Sequence, residues 1–140
     1  LSRPDGTTSS RFSHEVVVID DDTRVLDLVK LTLEMDGLSV CWLNSLAQAH
    51  VWMTEQSTGG SDPQVILLDV QLGEASGYDV LKGLAQHDLL KQNRVIMLTG
   101  EANPQQKVFK AIEAGAFDYL SKPFEPWVLL SRVRLARSQV

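Results

Sequence analysis

Two short runs with no polar interruption dominate the hydrophobic pattern: "VVVID" at 16–20 and "VILLD" at 65–69, each ending on an aspartate. Continuous aliphatic stretches of this length predict strands buried on both faces, as in the middle of a parallel sheet. "LSVCWL" at 38–43, "RVIML" at 94–98 and "AFDYL" at 116–120 predict three more strands. Between them the period changes. Val25, Leu28, Val29, Thr32 and Met35 recur at helical spacing before the stop signal Asp36-Gly37. Leu46, Ala49, Val51 and Met53 predict a second helix closed by "STGGSDP", and 78–85 a short third. A fourth is expected after Asn103, with Pro104 in its first position, Val108, Ala111 and Ile112 on it, and its end at Gly115. The last runs from Phe124 to about Arg137, with Pro126 near its start and Leu129, Leu130 and Val133 turned inward.

Strand and helix thus alternate five times. That order predicts an open α/β parallel sheet with helices on both faces and right-handed crossovers. Ligands of such sheets sit beyond the carboxyl ends of the strands, where strand order reverses. The residues at those ends are Asp20 and Asp21, Asp69, Thr99 and Lys122, and the topology predicts that they converge. Each has an ordinary structural role when taken alone. Asp22 and Thr23 suit a helix N-cap, Asp69 a turn, Thr99 the cap of the next segment, and a lysine before proline is commonly solvated surface.

Jointly they are harder to explain by stability. Two carboxylates about 5 Å apart at an effective dielectric near 20 repel by roughly 3 kcal/mol, and a third adds to that. A divalent cation removes the conflict, and an all-oxygen, partly hydrated set suits Mg²⁺ or Mn²⁺. With Lys122 as a point charge for an anion and Thr99 as a hydroxyl donor, the set describes a phosphoryl-transfer site with Asp69 as nucleophile.

Composition narrows the class. The chain has 140 residues, 44% of them hydrophobic, which is enough for one domain with its own core. Thirteen basic against 18 acidic residues give a net charge of −5, which does not favour non-specific binding to nucleic acid or an anionic membrane. Any DNA contact is expected from another domain or chain. Cys41 is the only cysteine, which excludes an internal disulfide and suits a reducing compartment, the cytoplasm. No apolar run approaches the ~20 residues of a membrane span. Residues 1–14, "LSRPDGTTSSRFSH", read as a flexible linker or cloning remnant, so the domain is expected over 15–140.

Four segments, "VIDDD", "ILLDVQLGEASGYDVL", "VIMLTGEAN" and "GAFDYLSKPF", together resemble the receiver domain of two-component response regulators in order and spacing. The resemblance covers Glu15 to Arg137. It implies a flavodoxin-like fold with a doubly wound five-stranded sheet in the order 2-1-3-4-5. It also implies that Asp69 accepts a phosphoryl group from a phosphohistidine of a sensor histidine kinase or histidine phosphotransfer protein. Asp21, Asp69 and the backbone carbonyl of Gln71 would bind Mg²⁺, with Asp20 acting through water or one step removed. Thr99 and Lys122 would contact the phosphoryl oxygens, and the Lys122–Pro123 peptide would be cis. Tyr119 falls at the family's aromatic switch position, where it would turn inward after phosphorylation and alter the face formed by the fourth helix, fifth strand and fifth helix. That face is where an output domain or a second copy would dock.

Departures accompany the resemblance. Gly73 stands where the family often has proline, which implies a looser loop; Gly100 keeps the approach to the phosphoryl group open; Gln71 and Glu101 are placed to influence water reaching the acylphosphate. Trp127 is expected to face outward, either as an anchor for a partner on the switching face or lying flat over its helix start. Trp42 and Trp52 read as packing residues, and His14, His50 and His87 are scattered. Two rival functions stand beside the phosphoacceptor. A receiver-like module acting by protein contacts alone fits the same fold. A phosphatase of the haloacid dehalogenase type also uses a strand-end Asp, but its Asp-x-Asp-x-Thr signature is off by one residue in Asp20-Asp21-Asp22-Thr23. A flavodoxin-like nucleotide binder lacks its glycine-rich phosphate loop here.

Overall fold

The computed structural model describes residues 15–59, 64–100 and 105–138. The expected linker at 1–14, the closing stretch at 60–63, Glu101 and the Pro104 helix start lie outside the described residues. In chain order the elements are β1 (Val16–Ile19), α1 (Thr23–Met35), β2 (Val40–Leu43), α2 (Leu46–Gly59) and β3 (Val65–Asp69), then β4 (Gln71–Leu72) and β5 (Ala75–Ser76). They continue with α3 (Gly77–Gln86), β6 (Arg94–Thr99), α4 (Gln105–Glu113), β7 (Asp118–Ser121) and α5 (Pro126–Ser138).

The five main strands pair in parallel in the order β2-β1-β3-β6-β7. Counting only those strands, this is the expected 2-1-3-4-5. Every residue of β1 and β3 is buried, as continuous apolar runs require in the centre of a doubly covered sheet. Alternation along the strands divides the core. Val17, Ile19, Ile66, Leu68, Val95 and Met97 pack towards α2, α3 and α4, whereas Val16, Val18, Val65, Leu67, Ile96 and Leu98 pack towards α1 and α5.

Helix existence matched the periodic pattern better than helix orientation did. On α1 the buried residues are Leu26, Val29 and Leu33, while Met35 is 81% exposed. The helix carries two apolar stripes, and the one containing Leu28, Leu31 and Met35 faces α5 across an open groove instead of the sheet. On α2 the inward face is Ala49, Trp52, Met53 and Gln56, an i, i+3, i+4, i+7 set, and Val51 is exposed. On α4 Ala111 is buried, with Ile112 and Phe109 exposed. α5 buries Leu129, Val133 and Ala136. The last strand begins two residues later than the 116–120 run, at Asp118. The antiparallel β4–β5 pair was not expected, because two-residue strands carry no alternation to read. α1 ends at Met35 with Asp36 as its C-cap, at the expected stop, and its start is capped by Asp22, whose carboxylate accepts from the Arg24 N–H at 2.9 Å.

Candidate functional site

Three of the expected carboxylates meet where β1 and β3 lie side by side at the centre of the sheet. One oxygen from each of Asp20, Asp21 and Asp69 lies within 4.8 Å of the others. Asp20 follows β1 and is completely buried. Its Oδ1 accepts from the Asp22 N–H at 2.9 Å, and its Oδ2 accepts from Lys122 Nζ at 2.8 Å. Asp69 ends β3, is 7% exposed, and accepts from the Gln71 N–H at 3.1 Å through Oδ1. Lys122 Nζ stands 3.3 Å from its Oδ2. Asp21 is the exposed member.

Thr99 closes β6, buried, and its carbonyl accepts the Lys122 N–H at 2.6 Å. β6 pairs with β7 through Thr99 and Ser121, which carries Lys122 to the same edge. The Lys122–Pro123 peptide is cis. A Cβ added to Gly100 would meet nothing within 4 Å, so the space beyond Thr99 is open. Between the start of α1 and the Lys122–Phe124 segment lies a groove of about 380 Å³ whose walls include Asp22, Arg24, Leu28, Lys122 and Phe124.

Desolvation dominates the titration of Asp69. Burial raises its pKa; the Gln71 N–H pulls it back, the Asp20 charge raises it again and Lys122 lowers it, and the balance stands at about 6. Burial also disfavours the charged form of Lys122, but its hydrogen bond to Asp20 and the charges of Asp20 and Asp69 outweigh this and hold its pKa above the ordinary lysine value. Three carboxylates against one ammonium leave an excess of negative charge with a solvent-facing member. Such a hard, all-oxygen donor set fits a divalent cation of the Mg²⁺ class. Among the described residues it is the one such cluster.

Two glycines shape the turn after Asp69, and of these Gly77 was not singled out from the sequence. The hairpin from Val70 to Gly77 folds back onto the strand that ends in Asp69, with the Gly77 N–H donating to the Val70 carbonyl at 2.6 Å. A Cβ at Gly77 would stand 2.0 Å from the Asp69 carbonyl oxygen and 3.0 Å from its carbonyl carbon, so only glycine fits. Gly73, at φ +60°, is the first of two turn residues between Leu72 and Ala75, the position at which a type II′ turn favours glycine. Proline, fixed near −65°, does not fit there. The expected looser loop is a paired hairpin, and a Cβ at Gly73 would lie 3.8 Å from Asp21 Oδ2.

The main sheet, its strand order and the strand-end cluster agree with comparison against known proteins. Residues 16–134 match the response regulator receiver domain. The chain belongs to that family. This receiver domain is similar to the phosphate regulon transcriptional regulatory protein PhoB of Pseudomonas aeruginosa, 29% identical over 119 residues that cover 85% of this chain and 49% of PhoB. It is also similar to the transcriptional regulatory protein SrrA of Staphylococcus aureus, 33% identical over 130 residues, 91% of this chain and 50% of SrrA. The chain therefore spans about half the length of the curated relatives it matches. Among solved structures, a CheY-like receiver domain protein from Methanospirillum hungatei superposes with a TM-score of 0.70 at 28% identity, covering 89% of this chain and 93% of that one. A response regulator from Burkholderia pseudomallei, described with a phosphorylated aspartic acid, a calcium ion and citrate, gives 0.71 at 27% identity over 89% of this chain and 68% of that one.

The structure also places two aromatic residues of the receiver domain that the sequence singled out. Tyr119 is already buried, 8% exposed, in the cluster between the sheet and α2–α4, and its hydroxyl has no hydrogen-bond partner. Trp127 is 70% exposed as expected and lines the apolar groove with Leu28, Leu31, Met35 and Leu130, on the α1 side of α5. No helix among the described residues is long and apolar enough to cross a membrane.

Proposed function

We propose that this receiver domain is a phosphoacceptor, with Asp69 taking a phosphoryl group from a phosphohistidine on a sensor histidine kinase or histidine phosphotransfer protein. The observation that carries it is the convergence of three carboxylates within 4.8 Å on a lysine 2.8 and 3.3 Å from two of them. An Asp69 oxygen forms the new P–O bond as the donor's P–N bond breaks, and the released imidazole nitrogen takes its proton from solvent. With a pKa of about 6, Asp69 is ionised at neutral pH yet more basic than an ordinary aspartate, which suits a nucleophile. Lys122 and the Thr99 hydroxyl receive phosphoryl oxygens. Asp20, Asp21, Asp69 and the Gln71 carbonyl would hold Mg²⁺, with Mn²⁺ as a substitute, and such an ion would supply charge neutralisation at the transferred group. The groove beside Lys122 gives the donor its approach.

The domain extends from residue 15 to the chain end, acts on no substrate beyond its own phosphorylation and dephosphorylation, and works in the cytoplasm. Its output surface is α4, β7 and α5, coupled to the site through Thr99 and Tyr119. Exposed Phe109 and Ile112 on α4 give that surface an apolar centre for an output domain or a second copy. Intact mass after incubation with Mg²⁺ and acetyl phosphate tests the proposal, with Asp69→Asn and chelator controls. One phosphoryl group gained by the native chain, only with metal, is expected. No gain together with no Mg²⁺ binding overturns it in favour of a module acting by contacts alone.

A further inference from the structure

Edge strand β2 reaches the acidic turn twice. The Leu43 carbonyl accepts from the Asp20 N–H at 3.1 Å, and the indole Nε1–H of Trp42 donates to the Asp20 carbonyl at 3.4 Å. With the Asp22 N–H on its Oδ1, Asp20 is held by its amide, its carbonyl and its carboxylate. The carbonyl belongs to the planar peptide shared with Asp21, so its direction fixes the plane from which the Asp21 side chain departs. Asp21 is the exposed carboxylate of the cluster and depends most on that plane.

We propose that Trp42 is a positioning residue for the cation site: its indole N–H orients the Asp20–Asp21 peptide and so tightens binding of a divalent cation. This rests on the reading that the cluster holds such an ion. Burial does not account for the residue, since Trp42 is 42% exposed between buried Cys41 and Leu43. The other tryptophans are placed elsewhere: Trp52 is fully buried with its Nε1 lacking a partner, and Trp127 lines the α1–α5 groove.

Titration of the full chain with Mg²⁺ alone by calorimetry, for the native protein and Trp42→Phe, tests this, with metal-free Tm measured in parallel. Removing a group that orients a ligand weakens the site, here by about three- to tenfold in Kd given one long hydrogen bond, while the metal-free Tm stays near the native value. An Mg²⁺ Kd within twofold of native overturns the proposal. Should the phenylalanine variant fold poorly, benzothienylalanine can replace tryptophan throughout a Trp127→Phe background. It keeps the ring shape and deletes the N–H, and Trp52 has no bond to lose. The same rise in Kd supports the role, and an unchanged Kd overturns it. If the native chain itself fails to bind Mg²⁺, the phosphoacceptor reading falls first and this inference with it.

Discussion

The Lys122 ammonium sits closer to Asp20, at 2.8 Å, than to Asp69, at 3.3 Å. Asp20 is completely buried, so the lysine is its chief compensation before any cation binds. Removing one partner of a buried pair leaves an uncompensated charge, and Lys122→Met should cost ~2–4 kcal/mol in metal-free urea unfolding. Mg²⁺ should then stabilise the variant more than the native chain, because no ammonium competes with it. Equal stabilisation of both would show that Lys122 and the cation do not share the same carboxylates.

The raised pKa of Asp69 fixes a sign for pH dependence. Between an ordinary aspartate value of 3.8 and about 6, the folded state holds a proton that the unfolded chain has lost. Stability from the protonated carboxyl is therefore complete below about 4 and is lost as pH rises through 6. Without metal, Asp69→Asn should exceed the native chain in stability by ~1–2 kcal/mol at pH 8, and the margin should shrink as pH falls from about 6 towards 4. Mg²⁺ affinity of the native chain should weaken over the same fall, since ion and proton compete. Denaturation at several pH values, with and without Mg²⁺, checks both.

Gly77 should tolerate no side chain. The nearest atoms to an added Cβ are the Asp69 carbonyl oxygen at 2.0 Å and backbone carbons at 3.0 Å, none of which can swing aside. Gly77→Ala should cost ~2–4 kcal/mol and lower phosphoryl incorporation by displacing the hairpin that carries Gln71. Gly100→Ala, with nothing within 4 Å, is the control and should leave stability near native.

Tyr119→Phe should be neutral or slightly stabilising, unlike most tyrosine deletions. The hydroxyl is buried without a partner, so removing it relieves a desolvation penalty of roughly 1 kcal/mol instead of breaking a bond. A clear loss of Tm would mean that the hydroxyl is satisfied in solution.

Asp22→Ala should separate the third acid from the other two. Its carboxylate caps α1 through the Arg24 N–H, so the variant should lose a few degrees of Tm while its Mg²⁺ affinity in calorimetry stays near native.

The strand ends were readable because each apolar run stops abruptly at Asp20, Asp69 or Thr99, and alternating strands and helices leave few topologies. Helix faces were not. Apolar residues on α1 serve two neighbours, the sheet and α5, and a single stripe cannot represent both. On α2 the buried Gln56 occupies a core position with a polar residue, which hid the true face. Gly77 gave no local signal either, since its constraint comes from the Asp69 carbonyl across the hairpin. Trp127 and Tyr119 were placed by tertiary contacts with α1 and with the α4 side of the sheet, and neither is encoded within their own helix or strand.

Asp20 and Lys122 are 102 positions apart, and β7, which leads into Lys122, is the edge strand of the main sheet opposite β2. A chain emerging in order can bring Asp20 and Asp69 together as soon as β3 forms, and at that moment it holds only mutual repulsion. Balance arrives with β7. The compensated cluster is thus a property only of a sheet that has closed to its far edge, and its stability reports on the whole strand order at once.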